Sequence, residues 1–154
     1  MNYSIEGLAG FISGSPTAFF AIRSVVKELE AEGYVRLKET ERWDVQKGGK
    51  YYVTRNGSSV IAFRVPSEGF APVLAVASHS DSPMFRIKPR PELILQGKYT
   101  MLNTERYGGM ILSTWLDRPL SVAGRVLVKT ENGLEARLVD LKRTWRSFRT
   151  SRST

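Results

Sequence analysis

Residues 73–83 read Val-Leu-Ala-Val-Ala-Ser-His-Ser-Asp-Ser-Pro, a short apolar run that is followed at once by polar residues. A continuous run of small apolar residues of this length is typical of a central strand that is covered on both faces of a sheet. Open α/β sheets place their ligand sites just past the carboxyl ends of such strands. The stretch therefore predicts an α/β fold whose functional site begins at His79.

His79 is the only histidine among the 154 residues. A single histidine is ordinarily a surface or core residue, but this one follows a predicted buried strand, and Asp81 stands two residues later. A carboxylate at that spacing can orient the imidazole and raise its basicity as a metal ligand, or it can share the same metal environment. His-x-Asp is a weak motif on its own, because an aspartate that only caps the turn explains it equally well.

One helix is predicted upstream of this stretch. Ser15 is a suitable N-cap, Pro16 suits the first helical position, and Gly33 stands where a left-handed C-cap is expected. The apolar residues between them recur on one helical face. No second helix is expected from the pattern.

The remaining elements are predicted to be strands and hairpins. A hairpin is expected at residues 50–64 around Asn56-Gly57, the preferred type I′ turn pair. A second hairpin is expected at residues 122–141, around residues 131–133. Short strands are expected at residues 34–37 and 85–88. The prolines at positions 89 and 91 predict an end to the last of these strands, since proline is excluded from the interior of a sheet.

The composition of the chain excludes several classes of protein. The chain contains no cysteine, which excludes a disulfide framework and a thiolate metal site. The first residues lack the basic and apolar regions of a signal peptide, and no segment is long and apolar enough to span a bilayer. A cytoplasmic protein without membrane association is the expectation.

The net charge of +8 is unevenly distributed along the chain. Most of the excess lies in the last thirteen residues, which carry five basic side chains and no acidic one. A basic tail can bind nucleic acid. The rest of the chain, however, has no basic strand interleaved with aromatic residues and no recognition helix. Nucleic acid is therefore not the expected partner, although a basic nucleic-acid-binding module that uses the tail stays as an alternative.

Several segments together resemble the aspartyl aminopeptidase and aminopeptidase I family of zinc metallo-aminopeptidases. The first is the His-x-Asp stretch itself, at residues 76–83, with its continuation at residues 85–89. The others lie at residues 11–19, 50–57 and 107–126. The resemblance runs in order from about residue 8 to about residue 143, so it is far more specific than a two-residue motif.

The resemblance implies a fold and a reaction. Residues 1–90 would be the start of an α/β two-zinc catalytic domain, a helix plus a mixed sheet, running into a β-rich oligomerisation domain at residues 91–143. Family members hydrolyse the N-terminal residue of peptides, often an acidic one, with two zinc ions that polarise the scissile carbonyl and supply a hydroxide. His79 would be a zinc ligand and Asp81 the catalytic carboxylate that supports it. A peptide substrate and a homo-oligomeric assembly are implied as well.

The family's bridging Asp, general-base Glu, further acidic ligands and second His come later than this sequence extends. The chain is therefore expected to be an N-terminal portion with little or no activity of its own. A non-catalytic assembly subunit is the alternative. Such a portion is also expected to aggregate, because strand edges and apolar faces would lack their partners.

Residues 144–154 form a basic tail that does not resemble the family. One permitted set of codons for residues 143–154 gives a different product when a single G is restored: Arg-Asp-Leu-Ala-Val-Ile-Pro-Asn-Leu-Ala-Ile-His-Met. That product resembles the family's continuation, so the tail is expected to arise from a frameshift. A solvated chain end and a basic arm are the alternatives.

Overall fold

The computed structural model describes residues 4–69, 72–116 and 118–142. These residues fall into two compact units. The first unit combines the chain up to Asp81 with Val122–Lys142, and the second contains Ser82–Ser121. The predicted division at residue 90 into a peptidase and an oligomerisation domain concerns the whole protein and stays a prediction. The predicted frameshift tail lies outside the described residues.

The first unit begins with two helices, α1 (Ile5–Ser13) and α2 (Ala18–Ala31). Ser4 caps α1, since its hydroxyl accepts a hydrogen bond of 3.1 Å from the backbone N–H of Gly7. The sequence did not predict α1. Gly7 and Gly10 lower its helix propensity, although Ile5, Leu8 and Ile12 recur at the spacing of one helical face after the Ser4 N-cap.

Helix α2 is the helix that the sequence predicts, with a later start. Its N-cap is Thr17 rather than Ser15. The carboxyl end agrees with the prediction, because Gly33 follows the last residues of the helix with a φ of 79°. A positive φ suits glycine, which lacks the Cβ that clashes in this conformation.

A three-stranded mixed sheet follows, made of β1 (Val35–Arg36), β2 (Lys50–Arg55) and β3 (Ser59–Arg64). β1 pairs with β2 in parallel, and β2 pairs with β3 antiparallel. Asn56 and Gly57 have φ of 54° and 66°, as a type I′ turn requires. The predicted first hairpin, and with it the α/β class, are confirmed.

The core of the first unit is small and is built around β2. Its buried apolar residues are Phe20 and Ile22 of α2, with Tyr51, Tyr52 and Val53 of β2. Tyr52 is fully buried. Because side chains alternate along a strand, Tyr52 faces one side of the sheet and Tyr51 faces the other, where its ring lies 5.7 Å from that of Phe63.

The predicted buried strand at residues 73–77 is wrong for this chain. These residues are not part of any strand in the described residues, and Val73, Leu74 and Val76 are almost fully exposed. A strand exists only where a neighbouring strand satisfies its backbone hydrogen bonds. The apolar run indicates a preference for burial, but it does not supply that neighbour.

The second unit is dominated by a long antiparallel ribbon of β4 (Met84–Leu95) and β5 (Tyr99–Tyr107), followed by a short 3-10 helix at Leu112–Thr114. The predicted end of the strand before Pro89 is wrong. The pairing register shifts between Ile87 and Glu92, so the two prolines lie in an irregular stretch of the ribbon and not in its regular ladder. Near the start of the ribbon, the ring of Phe85 packs edge-on against Trp115 at 5.6 Å.

The chain then returns to the first unit as the hairpin of β6 (Ala123–Thr130) and β7 (Gly133–Asp140). The pairing runs from Ala123 opposite Asp140 to Thr130 opposite Gly133, which confirms the second predicted hairpin. Arg125 joins this hairpin to the rest of the unit, because its guanidinium donates to the backbone carbonyl of Asn56 at 2.7 Å. None of the helices within the described residues has the length and apolar character that crossing a bilayer requires.

Candidate metal centre

The structure brings His79 and Asp81 together, the two residues that the sequence singles out. Nδ1 of His79 lies 3.1 Å from Oδ1 of Asp81. The imidazole is 95% exposed, whereas the carboxylate is 32% exposed. The half-buried carboxylate therefore holds one edge of a ring whose other edge faces solvent.

Ser80, between these two residues, fixes the His-x-Asp segment (residues 79–81) to the turn of the β2–β3 hairpin. Its hydroxyl donates a hydrogen bond of 2.8 Å to the backbone carbonyl of Ser58, which follows the Asn56-Gly57 turn. The contact joins residues that are 22 positions apart. Sequence reasoning missed this anchor, because a serine hydroxyl between two chemically prominent residues gives no signal of its own. The anchor positions the His-x-Asp segment beside the end of the β2–β3 hairpin.

The arrangement selects the nitrogen of His79 that can bind a metal. A carboxylate beside Nδ1 favours the tautomer in which Nδ1 carries the proton, and Nε2 then keeps its lone pair. A ligating histidine ordinarily has such a partner on its second nitrogen. The pair therefore has the chemistry of one histidine ligand of a zinc ion together with the carboxylate that orients it.

The donor set fits part of a zinc site. A catalytic zinc ion takes three protein ligands and leaves one position for water or substrate. Within residues 4–69, 72–116 and 118–142, no group of three or more His, Cys, Asp or Glu side chains is placed to hold a metal ion. Of the described residues, His79 offers one ring nitrogen that suits a zinc ion, with Asp81 beside its other nitrogen.

Comparison with known proteins gives a consistent result. The model of the aminopeptidase I zinc metalloprotease (M18) family matches residues 11–145. A probable M18 family aminopeptidase 2 of Clostridium novyi is 49% identical over 143 residues, which cover 88% of this chain and 32% of that protein. The chain thus spans about a third of the length of the curated relatives that it matches.

Solved structures show the same partial coverage. Chaetomium thermophilum mApe1 superposes with a TM-score of 0.79 at 35% identity, over 88% of this chain and 32% of that one. The S. cerevisiae mApe1 dodecamer superposes with a TM-score of 0.76 at 26% identity, over 89% of this chain and 33% of that one. The comparisons do not favour a nucleic-acid-binding module. Since the family model covers most of its residues, the chain belongs to the aminopeptidase I zinc metalloprotease (M18) family.

Proposed function

We propose that the whole protein is a zinc-dependent aminopeptidase that removes the N-terminal residue, often an acidic one, from peptides. The observation that carries the proposal is the 3.1 Å pairing of His79 with Asp81 in a chain of this family. The sequence contains no other histidine, so His79 is the only imidazole that this part of the protein can offer to a metal.

In this proposal each residue has a distinct role. His79 binds zinc through Nε2, and Asp81 keeps the proton on Nδ1 and fixes the plane of the ring. Ser80 holds the segment against the β2–β3 hairpin through its hydrogen bond to Ser58. When bound, zinc supplies Lewis-acid chemistry, which polarises a peptide carbonyl and lowers the pKa of water.

The 154 residues alone are proposed to have little or no peptidase activity. One histidine and one supporting carboxylate fall short of the three protein ligands of a catalytic zinc ion. The proposal therefore assigns the remaining ligands and the general base to the part of the whole protein that corresponds to the other two thirds of its relatives.

We further propose that the whole enzyme is a cytoplasmic homo-oligomer. A chain without cysteine suits a reducing compartment. A homo-oligomer is supported by the description of S. cerevisiae mApe1 as a dodecamer.

A hybrid enzyme tests the proposed activity. Residues 11–142 of this chain replace the matching segment of the Clostridium novyi relative, and release of aspartate from the dipeptide Asp-Ala is measured with zinc present. The hybrid is expected to hydrolyse the dipeptide, and the same hybrid with His79→Ala is expected to lose the activity. Asp44→Asn serves as the control, because Asp44 is an exposed carboxylate whose side chain contacts that of Gln46.

The decisive comparison requires a folded hybrid. Circular dichroism and size-exclusion chromatography establish that the hybrid and its variants keep the structure and assembly of the parent relative. A folded hybrid with His79→Ala that stays as active as the unsubstituted hybrid would contradict the proposed role of His79. A folded, zinc-loaded hybrid without any peptidase activity would contradict the proposed function itself.

A further inference from the structure

Helix α2, the three-stranded sheet and the β6–β7 hairpin surround a depression of about 400 Å³ in the first unit. Its apolar wall comes from Phe19, Ile22 and Val26 of α2, which recur at the spacing of one helical face. Leu138 of β7 adds to this wall. The depression can therefore take up an apolar side chain.

Three arginines line the same depression, and each comes from a different element: Arg23 from α2, Arg36 from β1 and Arg125 from β6. Neutral groups hold two of them in place. Arg36 donates from Nη2 to Oγ1 of Thr54 at 3.2 Å, and Arg125 donates from Nη1 to Asn56. The guanidinium of Arg125 also lies 4.3 Å from the ring centroid of Phe19.

No aspartate or glutamate is among the described residues that line the depression. The carboxylate of Glu30 accepts a hydrogen bond from Tyr52, which lines the depression, but Glu30 itself does not line it. Each of the nearby hydrogen-bond partners, Thr54 and Asn56, is neutral. A guanidinium has five N–H donors, and the contacts of Arg36 and Arg125 each engage a single nitrogen. Donors therefore remain on three cationic groups around an apolar wall.

We infer that this depression binds an acidic peptide segment that also carries an aromatic or aliphatic side chain. Carboxylates of the segment pair with Arg23 and Arg36, whose guanidinium groups suit the planar carboxylate. The apolar side chain packs on the wall formed by Phe19, Ile22 and Val26. This binding goes beyond the proposed peptidase activity, since it needs neither a free amino terminus nor a metal ion.

Blocked tripeptides test the inference on the 154-residue chain. The probe is acetyl-Glu-Phe-Glu-amide, which no aminopeptidase can cleave, titrated by calorimetry in the presence of EDTA. Acetyl-Gln-Phe-Gln-amide removes the charges, and acetyl-Glu-Gly-Glu-amide removes the apolar side chain. Both comparison peptides are expected to bind more weakly than the probe. Affinity for the probe is expected to fall when the salt concentration rises from about 50 mM to about 300 mM.

Substitutions at the arginines locate the binding. Arg23→Gln and Arg36→Gln are each expected to weaken binding of the probe about two- to fivefold, as the loss of an exposed ion pair does. Lys27→Gln is the matched control, because Lys27 is an exposed cation of the same helix that does not line the depression. Circular dichroism establishes that each variant is folded.

Three results would overturn the inference. The first is no measurable binding of the probe to the folded chain at about 10 mM, which excludes a Kd of about 1 mM or tighter. The second is equal affinity for the neutral tripeptide. The third is a loss of affinity in Lys27→Gln as large as that in Arg23→Gln, which would mean a general response to net charge. Because EDTA is present throughout, none of these results depends on whether the whole protein is a zinc peptidase.

Discussion

The hydroxyl of Tyr52 donates a hydrogen bond of 2.5 Å to Oε1 of Glu30, and this contact joins β2 to α2. Tyr52 is the largest fully buried side chain of the described residues. Burial, followed by the hydrogen bond and the charge of Glu30, raises the pKa of Tyr52 to about 12. The neutral phenol is therefore the form that the folded first unit accommodates.

Tyr52→Phe is expected to destabilise the chain by about 1 kcal/mol, the typical net contribution of one hydrogen bond. The ring stays in the core, and the exposed Glu30 carboxylate regains water, so the loss is limited to the hydroxyl contact. Urea denaturation followed by circular dichroism measures the change. Tyr34→Phe is the control and is expected to leave stability unchanged. A Tyr52→Phe chain as stable as the unsubstituted one would mean that the hydroxyl contact does not stabilise the fold.

Stability is expected to fall between about pH 10 and about pH 12. In the unfolded chain the phenol of Tyr52 loses its proton near its ordinary pKa of 10.0, whereas in the folded chain it keeps the proton to about 12. Over this range the folded state binds more protons than the unfolded state, so the free energy of unfolding decreases as the pH rises. The decrease is expected to be steeper for the unsubstituted chain than for Tyr52→Phe, in urea titrations at both ends of the range. If the free energy of unfolding decreased equally in the unsubstituted chain and in Tyr52→Phe, groups other than Tyr52 would cause the whole loss of stability.

Gly49→Ala is expected to destabilise the chain by about 1–3 kcal/mol, the range for overpacking a filled site. A Cβ at this position would lie 2.4 Å from Cε2 of Tyr51. That ring has little freedom to move, because it is buried against Phe63 and its hydroxyl accepts a hydrogen bond from the N–H of Gln46. Thermal unfolding measures the effect.

Gly10→Ala is the matched control for Gly49→Ala. A Cβ at Gly10 meets nothing within 4 Å. Because Gly10 lies inside α1, alanine is expected to stabilise the helix by about 0.5–1 kcal/mol. Opposite signs for the two substitutions would support the packing described for Tyr51. Destabilisation of similar size in both would contradict it.

Asp81→Asn is expected to lower the zinc affinity of the hybrid enzyme about 10- to 100-fold, as the loss of a partner of a ligating histidine does. The amide keeps the size of the side chain but removes the charge beside Nδ1 of His79. Competition with a zinc chelator measures the affinity, and Asp44→Asn again serves as the control. Unchanged zinc affinity in a folded Asp81→Asn hybrid would mean that Asp81 only caps the turn and does not support His79 as a zinc ligand.

The 154-residue chain is expected to self-associate, and Leu74→Lys is expected to reduce that association. Leu74 is 92% exposed within an apolar run, and contiguous exposed apolar surface promotes association. Light scattering over a concentration series measures the effect. Val45→Lys, at a less exposed apolar residue outside the run, is expected to change little. A monodisperse monomer at all concentrations would contradict the expectation.

The hairpins and α2 were predictable from the sequence because local residues determine them. Asn56 and Gly57 adopt the positive φ that their residue types favour, and the face of α2 follows from apolar spacing. Helix α1 is marked more weakly, since its two glycines lower its helix propensity although Ile5, Leu8 and Ile12 have helical spacing. The predicted strand at residues 73–77 is wrong for a different reason, because a strand needs a hydrogen-bonded neighbour that the run itself does not supply.

The candidate site was predictable only in part. The spacing of His79 and Asp81 indicated a pair, and the structure places them in contact. The hydrogen bond from Ser80 to Ser58 and the three arginines of the depression were not predictable. They depend on how α2, the sheet and the β6–β7 hairpin pack together, which no local pattern contains.

The first unit is built from two separate parts of the chain, so it cannot be completed until the ribosome has made the second part. Arg125 contacts Asn56 across 69 residues of chain, with the second unit made in between. At typical rates of about 5–20 residues per second, a ribosome needs roughly 3 to 14 seconds to add that many residues. Throughout this interval the ring of Phe19 has no guanidinium above it, and the apolar face of α2 lacks the hairpin that forms another wall of the depression. The nascent chain therefore exposes this face for seconds, long enough for a chaperone to bind before the hairpin arrives.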